Sequence, residues 1–116
     1  MKPLRPGSLS LLLCVLMSVA PAEAQTSNAG RNLSAACYTC HGTNGNSTGG
    51  VPPSLAGRTE IELFQAMKDF QSGKRTATVM HQQARGYTDE QLKLIAAYIA
   101  GLKPEAPRVP AKVVYR

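Results

Sequence analysis

The apolar positions of this 116-residue chain recur at helical spacings, and no stretch alternates over the length of a strand. The clearest stripe is the last: Leu92, Ile95, Ile99 and Leu102 fall on one helical face. Thr88 with Gln91 forms a capping box ahead of it, Asp89 and Glu90 suit the positive end of a helix, and Gly101 and Pro104 close it. A second stripe, Leu63, Phe64, Met67 and Phe70, follows a capping box of Thr59 with Glu62 and ends at Gly73. A first helix is expected over Ala29 to Cys40, where Leu33, Ala35, Ala36 and Cys37 stand among helix-tolerant residues. Between these helices, the polar, glycine-rich run from Gly42 to Gly50 and the stretch 71–87 read as loops. With no internal repeat, the pattern describes one small all-α domain.

The N-terminus follows another pattern. Lys2 and Arg5 precede an apolar run from Leu9 to Ala20, and Ala22-Glu23-Ala24 has the small-x-small form of a cleavage site. Residues 1–24 are therefore expected to be a cleaved secretory signal. Residues 25–104 would then form the folded domain and 105–116 a basic, proline-containing tail. No later segment approaches the roughly 18 apolar residues of a spanning helix, so no integral membrane segment is expected after cleavage. The predicted location is the periplasm.

Cleavage changes the cysteine count. Cys14 departs with the signal, leaving Cys37 and Cys40, so a small exported domain has no spare cysteines for staples. Two Phe, four Tyr and no Trp make a poor aromatic core, which a buried planar cofactor would supplement. Cys37-Tyr38-Thr39-Cys40-His41 is the C-x-x-C-H pattern of covalent haem attachment. Two thiols three positions apart on a helical turn can each reach one vinyl group of the same porphyrin, and the next imidazole can face the iron. One haem c is the cofactor this implies. A zinc site could draw only on Cys37, Cys40, His41 and His81, without the separated knuckles such sites use. A thioredoxin-like redox pair would need a βαβ pattern, which is missing.

For a second iron ligand the residues leave alternatives. Met80 lies outside both apolar faces, just before the last helix; His81 adjoins it; Met67 falls on the Leu63–Phe70 face and reads as core. No nucleophile with a paired base and no phosphate loop offers a separate catalytic site. Without Lys2, Arg5 and Glu23, eleven Lys and Arg face six Asp and Glu, a net +5 that suits an acidic docking surface or an anionic membrane face. Nucleic acid is not an expected partner for an exported haem protein.

In the order of these features the chain resembles the class I c-type cytochromes over nearly all of residues 28–103. The resemblance rests on a helix ending in Cys37-Tyr38-Thr39-Cys40-His41-Gly42, then Pro53-Ser54-Leu55-Ala56-Gly57, a loop methionine and a C-terminal helix. It implies a small helical domain wrapped around one haem, with the Pro53 carbonyl accepting from Nδ1 of His41, Leu55 packing on the ring, and Met80 opposite His41. It implies one-electron transfer to a downstream electron acceptor. The segments Phe70 to Met80 and Ala84 to Gln91 look, within that family, like the cytochrome subunit of flavocytochrome c sulfide dehydrogenase. The partner so implied is an FAD-containing subunit. One C-x-x-C-H departs from the two-haem form of that subunit and fits a single-haem variant or a freely diffusing carrier. Arg58, Lys74 and Arg75 flank the segments expected to line the haem and are candidates to meet its propionates.

Overall fold

The computed structural model describes residues 22–106. Most of the expected signal and the tail beyond Ala106 lie outside the described residues. Four α-helices make the domain: α1 (Ala22–His41), α2 (Glu60–Ser72), α3 (Met80–Arg85) and α4 (Asp89–Ala100). A short 3-10 turn, Thr43–Gly45, follows α1. Among the described residues there is no strand.

Both capping boxes form. The Thr59 hydroxyl accepts from the Glu62 backbone while the Glu62 carboxylate accepts from the Thr59 backbone at 2.8 Å, and Thr88 with Gln91 does the same for α4. Gly73, left-handed at φ 78°, closes α2 by bonding back to the Phe70 carbonyl. α1 starts seven residues before the expected Ala29. Ala22, Glu23, Ala24 and Gln25 are strong helix formers with the acid at the positive end, and they extend the helix as an exposed first turn. The 71–87 stretch is also more ordered than expected, because residues 80–85 form α3. That helix buries only Ala84, so it leaves no apolar period in the sequence.

α1 packs along α4, and α2 packs on both α3 and α4. Gly30 lets the first pair approach. A β-carbon there would stand 2.5 Å from the Leu94 carbonyl oxygen and 2.9 Å from Cβ of Tyr98. One turn later the buried Ser34 hydroxyl donates to the Gly30 carbonyl at 2.7 Å. The core joins Leu63 of α2 to Leu92, Ile95, Ala96 and Ile99 of α4, with Leu33, Leu55, Phe64, Met67, Tyr87, Tyr98 and Leu102 half-buried against it. Met67 thus packs on the core, and Leu102 closes the α4 stripe.

The chain after α4 returns to the turn after α1. The Asn46 amide donates to the Lys103 carbonyl at 3.2 Å and to that of Asn44 at 3.3 Å, and its oxygen accepts from the Glu105 backbone at 2.7 Å.

Candidate functional site

The last turn of α1 carries Cys37, Cys40 and His41, whose i, i+3, i+4 spacing puts them on one face. Cys37 is half-buried, Cys40 is exposed, and neither is in a disulfide. Burial pushes the Cys37 thiol above its ordinary range. His41 is only 6% exposed. Its Nδ1 lies 2.6 Å from the Pro53 carbonyl oxygen. A carbonyl only accepts, so the proton belongs on Nδ1, and Nε2 keeps its lone pair. No hydrogen bond among the described residues engages Nε2.

A set of backbone bonds fixes the segment that presents Pro53. The Gly45 carbonyl accepts from the backbones of Leu55 at 2.8 Å and Ala56 at 3.1 Å, and the Ser54 hydroxyl accepts from the Ser47 backbone at 2.9 Å. Gly42 makes the turn out of α1 at φ 81°, where a β-carbon would collide with the Asn46 carbonyl. Leu55 is half-buried against the core.

Met80 and His81, both half-buried, are the first two residues of α3, which packs on α2. The structure therefore brings Cys37, Cys40, His41 and Pro53 together and holds Met80 and His81 on a different element. Among the described residues no three Cys, His, Asp or Glu side chains gather as metal ligands, so the four donors of the zinc alternative do not converge. Of the three cations considered for propionates, Arg58 donates to the Ser54 carbonyl at 3.0 Å, Lys74 lies 3.8 Å from Asp69, and Arg75 sits 5.0 Å over the Phe70 ring. Sequence reasoning missed the side-chain amides of Asn46 and Gln71, which bond to carbonyls distant in the chain and leave no local signal.

The donor set fits a covalent porphyrin. Two thiols unlinked to each other stand on the face of a buried imidazole whose Nδ1 is engaged and whose Nε2 is free to ligate. The apolar lining fits too. Leu55, Phe64 and Met67 are only half-covered by protein, a shortfall that a flat apolar ring would make good.

A helical domain with this attachment turn is a haem c-binding domain, and the comparison with known families gives the same answer. The cytochrome c family model matches residues 27–103, so the chain belongs to the cytochrome c family and carries one covalent haem c. It is 46% identical over 77 residues to the cytochrome subunit of sulfide dehydrogenase from Chlorobaculum tepidum, covering 66% of this chain and 69% of that one. It is 38% identical over 95 residues to cytochrome c4 of Pseudomonas aeruginosa, across 82% of this chain and 47% of that protein. To the thiosulfate dehydrogenase electron acceptor of Thiomonas intermedia it is 35% identical over 78 residues, across 66% of this chain and 36% of that protein. The chain thus spans half or less of the length of the last two.

Proposed function

We propose that this protein carries single electrons in the periplasm as the single-haem cytochrome subunit of a sulfide dehydrogenase, receiving them from an FAD-containing partner and passing them to a downstream acceptor. The observation that carries the electron-transfer reading is the 2.6 Å contact between His41 Nδ1 and the Pro53 carbonyl. It fixes the imidazole's tautomer and direction and would raise the basicity of His41 as a ligand to the haem iron. Cys37 and Cys40 would hold the ring by thioether bonds, and His41 and Met80 would ligate its iron. The haem, when bound, would supply an iron that changes charge by one electron, at a potential that thioether ligation by Met80 would raise relative to a second imidazole. The subunit assignment rests on the likeness to the Chlorobaculum tepidum protein. No helix among the described residues is long and apolar enough to cross a membrane.

A freely diffusing electron carrier is the second reading, favoured by the likeness to a protein named as an electron acceptor. Purification of the native protein separates the two. A flavin-containing protein that accompanies it through successive columns supports the subunit; a strictly monomeric product without flavin overturns that reading and leaves the carrier. Met80→Ala is expected to abolish the ferric methionine charge-transfer band and lower the reduction potential, whereas Met67→Ala keeps the band and loses core packing. A band that survives in Met80→Ala moves the sixth ligand to the other methionine, Met67, and a wild-type protein without the band moves it to His81.

A further inference from the structure

Six residues are too few for a helix to sustain itself, so α3 must be held by its surroundings. Its start has little to hold it. The N-cap, Val79, makes no side-chain cap bond and is 56% exposed. Its end is anchored. Ala84 is fully buried, and the half-buried Gln71 of α2 spends both amide hydrogens there, donating to the Ala84 carbonyl at 2.8 Å and the Tyr87 carbonyl at 3.0 Å. One turn earlier on α2, Lys68 pairs with Asp89 at 2.6 Å and so ties down the start of α4. The segment from Met80 to Asp89 is thus fastened to α2 at its far end, and Met80 projects from the unfastened one.

We infer that Gln71 is a positioning residue for Met80: its two hydrogen bonds set where α3 lies and so how firmly the thioether stays on the iron. The inference rests on Met80 as the sixth ligand. Without the two donors, the Tyr87 carbonyl loses its partner and the Ala84 carbonyl keeps only the backbone N–H groups of Gly86 and, at 3.3 Å, Tyr87. α3 then leaves its seat more often, and each departure takes Met80 with it. The expected sign is faster exchange of the sixth ligand with no change in haem content.

The experiment uses the purified ferric haem protein and cyanide as an entering ligand, under conditions where departure of the native ligand limits the rate. Gln71→Met keeps the length of the side chain and removes both donors. Gln71→Glu keeps its shape and, ionised at neutral pH, has no hydrogen to donate. Both are expected to retain the methionine charge-transfer band and to bind cyanide about tenfold faster, the effect of losing one to two neutral hydrogen bonds. Lys68→Met removes the neighbouring anchor of α4 and is expected to leave the rate within about twofold, since an exposed ion pair contributes little. Wild-type rates in both Gln71 variants, or an equal acceleration in Lys68→Met, overturn the inference. A band that persists in Met80→Ala overturns the Met80 assignment instead, and the two failures are told apart by that spectrum.

Discussion

Tyr38, one position after Cys37, has a buried hydroxyl with no hydrogen-bond partner. Burial, with the Tyr98 phenol close by, pushes its ionisation up from the ordinary 10.0 to about 12. A minor part of that shift comes from Cys37, and it vanishes once the thiol is a thioether without charge. The folded chain therefore holds the Tyr38 proton more tightly than the unfolded chain. The stability this brings is fully present below pH 10 and is lost as pH rises towards 12. Tyr38→Phe removes both the titration and an unpaired buried hydroxyl. Its stability at pH 7, read by thermal unfolding, is expected to match wild type or exceed it by about 1 kcal/mol, and should fall less between pH 10 and 12. A clearly destabilised Tyr38→Phe would mean that the hydroxyl has a partner in the haem-loaded protein. At this scale the cysteines and His41 are legible in the sequence because five consecutive residues carry the chemistry. Pro53 follows only from resemblance, since a carbonyl gives no side-chain signal. Gln71 and Asn46 are illegible, because nothing local distinguishes a clamping amide from a solvated one.

Of the helices, those with a wide apolar face and a capping box could be placed from the sequence alone. α2 and α4 bury Leu63, Leu92, Ile95 and Ile99 and are bounded by side chains whose hydrogen bonds are local. α3 has neither mark and depends on contacts with α2, which no periodicity reports. The crossing of α1 and α4 rests on Gly30, whose role is also invisible before the two helices meet. Gly30→Ala gains up to about 1 kcal/mol in helix propensity. It also drives a methyl group into the Leu94 carbonyl, which belongs to the backbone of α4 and cannot swing aside. Overpacking of this kind costs about 1–3 kcal/mol, so a net loss is expected in guanidinium unfolding of the haem protein, with the spectrum at low denaturant unchanged. A more stable Gly30→Ala would show that the helices separate easily.

The whole molecule buries few large side chains; among the described residues only Leu63, Leu92, Ile95 and Ile99 are both large, apolar and buried. Such a core is thin, and the half-buried Leu55, Phe64 and Met67 around it show where a ring would complete it. That need could be read from the low aromatic content. Which surfaces would face the ring could not, because the same residues also serve helix packing. The final tie between the two ends of the domain is Asn46, whose bonds to Lys103 and Glu105 span 57 and 59 residues. Closing a loop of that size costs roughly 3.6 kcal/mol beyond a constant, while two neutral hydrogen bonds return about 2 kcal/mol. The clamp therefore cannot draw the ends together; it forms after α1 and α4 have done so. A contact made that late is absent from the transition state for folding. In stopped-flow measurements Asn46→Ala should unfold about tenfold faster and refold within about twofold of the wild-type rate. Slower refolding would place the clamp in the nucleus. Asn46 thus governs how long the folded state lasts and leaves untouched how quickly it is reached.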